Sequence, residues 1–333
     1  MKAMILAAGF GTRLFPLTID RTKPAIPFLG KPLVGYVAEY VANYGFKDVI
    51  VNLHHQPESV KNALGKGENF GVKIEYTLES PEILGTAGAL WNAKDLLKDE
   101  TFLVVNGKVI TNIDLQAALE THKKTRAVAT MILIENTKLE KFSIIETENG
   151  LIKGFGGFPQ ATNDENQKPK TENRKPYLFT GIQILEPKVF DYIPANRESD
   201  IISTFYRPAI ANGEIIAAHV AENCYWYELS TIPRYLDISN AVLNGENNGL
   251  SRGDNCQIAE NADVTNSILW NDVIIESDAT VKNAILGDGV KINSGEIVEN
   301  KCVVRARLMR GAEIPEKALT GYFDGDNYVV PLV

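Results

Sequence analysis

Apolar positions change their period along this chain, and the change divides it. Over the first 240 residues or so, short apolar runs alternate with stretches of helical spacing. Ala3–Ala8 is an unbroken apolar run, the pattern of a buried strand. Leu33, Val37, Tyr40, Val41 and Tyr44 recur at helical spacing and stop at Gly45. Val49–Leu53, Lys73–Tyr76 and Phe102–Val105 read as strands; Pro57–Leu64, Thr86–Leu97 and Leu115–His122 read as helices. Pro57 suits the first turn of its helix, where a missing N–H costs nothing. This alternation predicts an α/β fold, a Rossmann-like, mostly parallel open sheet with helices on both faces. Ligands of such sheets lie beyond the carboxyl ends of the strands.

The middle of the chain reads differently. Val128–Ile134 and Ser143–Thr147 are strand-like, and Asn149-Gly150 is a two-residue hairpin signal before Leu151-Ile152. Residues 159–176 are polar and contain proline, the composition of a mobile loop, either a lid or a plain insertion. Tyr177–Leu185 reads as a strand, and a helix from Thr231 or Ile232 to Leu243 closes the region. Asn244–Asn255 is rich in Asn and Gly and linker-like. Beyond it Ile268, Ile274, Leu286, Ile292, Val298 and Val304 fall on a six-residue grid, with Thr280 at the vacant point. Leu269, Ile275 and Val281 fall on the adjacent grid. Hexads with Gly, Asn and Asp between the apolar points are a β-helix signature, each coil burying its face on the next. The expected organisation is a domain over 1–245, a linker over 246–255 and a β-helix over 256–333.

Length and charge refine this picture. A chain of 333 residues favours two domains. A net charge of −8 argues against non-specific nucleic-acid binding and leaves local clusters of cations conspicuous. Cys224, Cys256 and Cys302 are far apart and odd in number, which suits neither a zinc site nor a disulfide framework. No apolar stretch is long enough to span a bilayer, and the opening run lacks a leader pattern. A reducing, cytoplasmic location with no membrane partner is the simplest expectation.

The chemistry concentrates where the first strand ends. Leu6-Ala7-Ala8-Gly9-Phe10-Gly11-Thr12-Arg13-Leu14 places a glycine loop directly after an apolar run. Glycines there permit positive φ and close ligand approach, and successive backbone N–H groups form an anion-binding concavity. Arg13 adds a fork of donors suited to phosphate oxygens, and Lys23-Pro24 and Lys31-Pro32 follow. No Gly-Lys-Ser/Thr follows the glycines, so this is not a P-loop; Leu14 stands where a dinucleotide fingerprint needs its third glycine. An oxidoreductase is thereby disfavoured. An acyltransferase built on the β-helix is disfavoured because His54, His55, His122 and His219 all precede it.

Residues 6–32 resemble the nucleotide-binding signature of the sugar-1-phosphate nucleotidylyltransferases, the NDP-sugar pyrophosphorylases. Glu79-Ser80-Pro81-Glu82-Ile83-Leu84-Gly85-Thr86-Ala87-Gly88-Ala89-Leu90 resembles the family's second signature, with Leu84-Gly85-Thr86-Ala87-Gly88 as its core. The resemblance implies a GT-A-like nucleotidyltransferase domain followed by a short left-handed β-helix. It further implies a reaction of NTP and sugar 1-phosphate to NDP-sugar and pyrophosphate. Carried over by position, Ala8, Gly9, Gly11 and Thr12 would cradle phosphates, Arg13 would hold the departing pyrophosphate and Lys23 would bridge phosphates. Gly85 and Thr86 would border the base, Asn106 would lie near the nucleotide, and Thr180 and Gly181 would border the sugar. The family's metal-binding Asp is replaced by Lys108, and the second metal-binding Asp by Glu228, which can still hold Mg²⁺ through oxygen. Gly157 and Phe158 stand where the family has a sugar-contacting Glu and a phosphate-contacting Lys. Two readings follow: an active enzyme in which Lys108 supplies a fixed charge near the metal's place and acts with Arg13 and Lys23, or a nucleotide-binding regulatory subunit. Within the family GTP with mannose 1-phosphate is the first expectation, UTP or dTTP with a hexose phosphate the next. The open coil edges of a β-helix would also allow association into homo-oligomers.

Overall fold

A computed structural model describes residues 1–137, 143–157 and 176–332. These form two compact units that cut across the expected linear boundaries: residues 1–7, 37–54 and 66–226 make one, and residues 8–36, 55–65 and 227–333 the other.

The first unit is built on a nine-stranded sheet. Its order from edge to edge is Lys73–Leu78, Asp48–Leu53, Ala3–Leu6, Phe102–Asn106, Tyr177–Leu185, Ala129–Glu135, Ile216–Val220, Leu151–Gly157 and Ser143–Glu148. The first four strands are parallel, as the alternating pattern predicts. The other half is mixed: Tyr177–Leu185 runs antiparallel to Phe102–Asn106 and Ala129–Glu135 and pairs antiparallel with Ser143–Glu148 as well, and Ile216–Val220 runs parallel to Ala129–Glu135. In the parallel half Leu6 pairs with Asn52 on one side and Asn106 on the other. Met4, Ile50, Phe102, Val104, Met131 and Leu133 are buried in one core. The Asn149-Gly150 hairpin forms with both residues at positive φ, 52° and 75°, as a tight primed turn demands.

The segment expected as one helix from Thr86 to Leu97 is two, Gly85–Asn92 and Lys94–Leu97, broken at Ala93. The Ala93 N–H is shared between the carbonyls of Ala89 and Leu90. Ala89, Leu90, Ala93 and Leu97 are all buried, so the apolar period runs through the break without marking it. The expected helix from Leu115 continues to Thr125, capped by Asp114, which accepts from the N–H groups of Gln116 and Ala117 at 2.8 and 3.2 Å. The expected loop over 159–176 lies, up to residue 175, outside the described residues.

The second unit contains the β-helix. Ser251, Ile268, Ile285 and Cys302 stack in parallel register, each 17 residues beyond the last. Ser251–Arg252, inside the expected linker, is therefore a strand of the first coil. The hexad grid is corrected accordingly: a coil holds 17 residues, one short of three hexads, so the inward face slips by one position per coil. Leu269, Ile275 and Val281 fill the interior of one coil, and Leu286, Ile292 and Val298 the interior of the next. The two grids are one face seen in successive coils. Ile274, on the first grid, is 36% exposed. Corners are turned by Asn266, Asp272, Asp278 and Asn283 at positive φ, which short polar side chains tolerate.

The helix Ile232–Leu243 is capped by the Thr231 hydroxyl, which accepts from the Arg234 N–H. The opening segment of this unit is tied to the β-helix. Arg21 pairs with Asp288 at 2.5 Å and Asp20 at 2.9 Å, and its guanidinium lies 4.8 Å over the Trp270 ring. The Tyr235 hydroxyl donates to the Pro27 carbonyl and accepts from Trp270 Nε1 at 3.1 Å. Among the described residues no helix is long and apolar enough to cross a membrane.

Candidate active site

The residues singled out by the sequence fall into both units, and each group has its own architecture. The second unit holds Ala8, Gly9, Gly11, Thr12, Arg13, Lys23 and Glu228; the first holds Gly85, Thr86, Asn106, Lys108, Thr180 and Gly181.

The glycine loop follows the strand Ala3–Leu6 and ends in a short turn, Thr12–Leu14. Leu14 is fully buried and its N–H bonds the Gly11 carbonyl at 2.9 Å, which anchors the turn from below. Arg13 is exposed and has no acidic partner among the described residues. Gly11 takes φ 69°, and a Cβ there would meet Lys23 Cβ at 3.0 Å, so the structure brings Gly11 and Lys23 together. Gly9 does not take the positive φ expected of it; it is exposed, with nothing within 4 Å of where a Cβ would stand. Lys23 opens a second short turn beside the buried Thr22, whose N–H donates to Ser59 Oγ at 3.1 Å.

In the first unit the second signature is held from several sides. The Glu79 carboxylate, buried, accepts from the Leu84 N–H at 2.6 Å. Thr86 Oγ1 accepts from the Ile201 N–H at 2.9 Å, so its hydroxyl is committed to the 199–201 segment. The Ala87 N–H donates to the Ser199 carbonyl at 2.9 Å. Gly85, at φ 68°, has the Ser199 carbonyl oxygen 2.7 Å from where a Cβ would stand, so no other residue fits without displacing that backbone.

Asn106, Thr180 and Gly181 also come together. Gly181 takes φ 78°, and a Cβ there would lie 2.1 Å from Asn106 Nδ2. Thr180 is buried; its hydroxyl donates to the Ile132 carbonyl at 2.7 Å and accepts from the Ile182 N–H at 3.3 Å. Its own carbonyl accepts from Trp226 Nε1 at 2.9 Å. Thr180 therefore shapes a wall, and its hydroxyl is not available to a sugar. Lys108 is half-buried one residue past Gly107, whose N–H bonds the Leu6 carbonyl at 2.9 Å. Glu228 is buried, with its carbonyl accepting from Arg234 Nε at 2.9 Å. Among the described residues no group of three or more His, Cys, Asp or Glu could hold a metal ion. Glu228 offers a single carboxylate, a set that fits Mg²⁺ only when substrate phosphates complete the coordination.

Sequence reasoning placed Glu79 at the start of the second signature without giving it a role and missed Asn52; both are buried beside these segments. The signal available was a polar residue at the end of an apolar strand run, Val49-Ile50-Val51-Asn52. A separate cavity of about 550 Å³, lined by His122, Arg126, Glu186 and Lys188 among others, contains none of the expected site residues.

Comparison with known proteins agrees with this architecture. Residues 2–245 match the family described as Nucleotidyl transferase, and residues 198–313 match one described as GlmU-like, C-terminal hexapeptide. A UTP–glucose-1-phosphate uridylyltransferase of Synechocystis is 32% identical over 74% of this chain and 64% of its own length. An N-acetylmuramate alpha-1-phosphate uridylyltransferase of Neisseria meningitidis is 36% identical over 59% of this chain and 79% of its own length. A mannose-1-phosphate guanyltransferase of Yarrowia lipolytica is 34% identical over 69% of this chain and 60% of its own length. The matches thus span less than two thirds of the Synechocystis and Yarrowia proteins. Among solved structures, a putative glucose-1-phosphate thymidylyltransferase of Bacillus anthracis superposes with a TM-score of 0.62 at 24% identity. That match covers 74% of this chain and 96% of the other, and it speaks to the fold.

Proposed function

The chain belongs to the nucleotidyl transferase family, and from that premise we propose that it joins a nucleoside triphosphate to a sugar 1-phosphate, releasing an NDP-sugar and pyrophosphate. A phosphate oxygen of the sugar 1-phosphate attacks the α-phosphorus in line. The α–β bridging bond breaks, and pyrophosphate departs with the electron pair. Both substrates are anions, so catalysis consists of aligning them and neutralising charge as it moves to the leaving group.

The observation that carries this reading is Arg13: an exposed guanidinium with no acidic partner among the described residues, on the turn that follows the glycine loop, in a chain of net charge −8. In this reading Ala8, Gly9, Gly11 and Thr12 receive phosphates, Arg13 stabilises the departing pyrophosphate and Lys23 bridges the phosphates. Gly85 and Thr86 border the base through their backbone, because the Thr86 hydroxyl is already engaged. Asn106 lies near the nucleotide, and Gly181 with Thr180 as its wall borders the sugar. Glu228 would hold Mg²⁺, which when bound supplies neutralising charge on the phosphates. Lys108 contributes a fixed ammonium.

GTP with mannose 1-phosphate is the first pair proposed, on the strength of the guanylyltransferase relatives. UTP with a hexose 1-phosphate is the second, because two similar relatives are uridylyltransferases. The test is a pyrophosphate-release screen of the common NTPs against several sugar 1-phosphates, with and without Mg²⁺. Release with one pair supports the reading. Nucleotide binding with no release from any pair overturns it.

A further inference from the structure

Within the first unit, two buried side chains connect the root of the glycine loop to the second signature through an uninterrupted run of hydrogen bonds. The Ala7 N–H donates to Asn52 Oδ1 at 2.7 Å. Asn52 Nδ2 donates to Glu79 Oε1 at 2.5 Å, and the Leu84 N–H donates to Glu79 Oε2 at 2.6 Å. The His54 ring nitrogen Nδ1 lies 3.0 Å from the carbonyl of Glu79 itself. Asn52 and Glu79 are 3% and 2% exposed, and Glu79 has no cationic partner among the described residues.

A carboxylate buried away from any cation is a costly way to fill space, and an apolar side chain would pack there more favourably. What a carboxylate provides, and an amide cannot, is acceptance at both ends. Both ends are used, one by the Asn52 amide and the other by the Leu84 main chain. The Asn52 amide is equally constrained: its oxygen must face the Ala7 N–H, so its NH₂ must face an acceptor. Ala7 immediately precedes Ala8-Gly9-Phe10-Gly11, and Leu84 immediately precedes Gly85-Thr86.

We propose that Asn52 and Glu79 are positioning residues for the nucleoside triphosphate, setting the spacing between Ala7 and Leu84 through their main-chain amides. The inference rests on the nucleotide-binding reading of the two adjoining segments given above. A ligand gripped by main chain at both ends senses that spacing directly, and a misplacement of about 1 Å is worth on the order of a hundred-fold in rate.

The test is an exchange of donor and acceptor. In Glu79→Gln the new amide must point its NH₂ at another N–H, either that of Asn52 or that of Leu84. In Asn52→Asp two carboxylates face each other. In the double variant Asn52→Asp/Glu79→Gln the run closes again. Ala7 donates to Asp, the Gln amide donates to the other Asp oxygen, and Leu84 donates to the Gln oxygen. One carboxylate and one amide are retained throughout.

Both single variants are expected to raise KM for the NTP about ten-fold or more, with KM for the sugar 1-phosphate unchanged, and the double variant to return within about threefold of the parent. KM does not depend on the fraction of protein folded, so loss of stability alone cannot produce that split. Unchanged NTP KM in Glu79→Gln, equal rises for both substrates, or a double variant no better than the singles overturns the proposal. Should a single variant fail to fold, the NTP KM of the double variant decides alone. If the parent protein releases no pyrophosphate with any pair, the activity reading fails by itself. The relay is then judged by equilibrium dialysis with the NTP: weakened binding in Glu79→Gln restored in the double variant supports it, and unaltered binding overturns it.

Discussion

The two segments proposed to receive the nucleotide are built on opposite principles. Leu84-Gly85-Thr86 is locked: Glu79 holds the Leu84 N–H, Ile201 donates to the Thr86 hydroxyl, and the Ser199 carbonyl occupies the space a Gly85 side chain would need. Gly9–Arg13 is open at its two ends: Gly9 faces free space and Arg13 extends without an acidic partner among the described residues, while Gly11 between them packs on Lys23. A segment with its polar groups already satisfied by the protein can discriminate by shape, because a wrong fit cannot be accommodated without breaking those bonds. A segment that offers amides and a guanidinium to solvent gains its partners only when an anion arrives, and then contributes to rate more than to stability.

The contrast is most exposed to failure at Arg13. Arg13→Ala is expected to lower turnover by at least ~100-fold while leaving thermal unfolding unchanged, since the side chain is exposed and supports nothing. A rate equal to that of the parent, measured by pyrophosphate release, removes Arg13 from the site.

The next test separates stability from activity at two glycines. Gly85→Ala would force a side chain onto the Ser199 carbonyl at φ 68° and is expected to cost about 1–3 kcal/mol in urea unfolding. Gly9→Ala meets nothing within 4 Å and is expected to stay within about 0.5 kcal/mol, with its loss confined to the NTP-dependent rate. Equal unfolding midpoints for the two variants would erase the distinction between locked and open. Thr86→Val probes the locked segment more gently. It leaves the Ile201 N–H without its acceptor, for a cost of about 1 kcal/mol, and Thr86→Ser should restore the loss.

These differences were unevenly legible in the sequence. The glycine loop was visible because Gly9, Gly11 and Arg13 follow an apolar run without interruption, and the parallel strands were visible from alternation. Their environments were not, because the neighbours that lock Gly85 lie more than a hundred residues away, at Ser199 and Ile201. Nothing local marks Glu79 as buried. Its acceptor role exists only once Asn52 and Leu84 are placed around it. Tyr177–Leu185 read as a strand, but not as the antiparallel strand beside Phe102–Asn106, since strand direction follows from the path of the chain and not from composition. In the β-helix the apolar period was visible and its length slightly off. A 17-residue coil moves the inward face from Ile275 to Ile292, and a strict hexad grid splits that face into two series. The ion pair of Arg21 with Asp288 spans 267 residues and had no sequence signal.

Lys108 is the smallest of the tests and the one that asks which principle governs charge at the end of the strand Phe102–Asn106. Mg²⁺ takes one or two carboxylates from a protein and completes its shell with water and substrate phosphates. With Glu228 as the proposed carboxylate, Lys108→Asp would add a second oxygen ligand and remove a competing cation. Half-maximal turnover should then require several-fold less Mg²⁺, and any turnover that the parent shows without Mg²⁺ should disappear, because the fixed ammonium that sustained it is gone. Superimposable Mg²⁺ titrations of parent and variant would mean that Lys108 does not act on the phosphates. Neutralising the phosphates would then fall to Arg13 and Lys23.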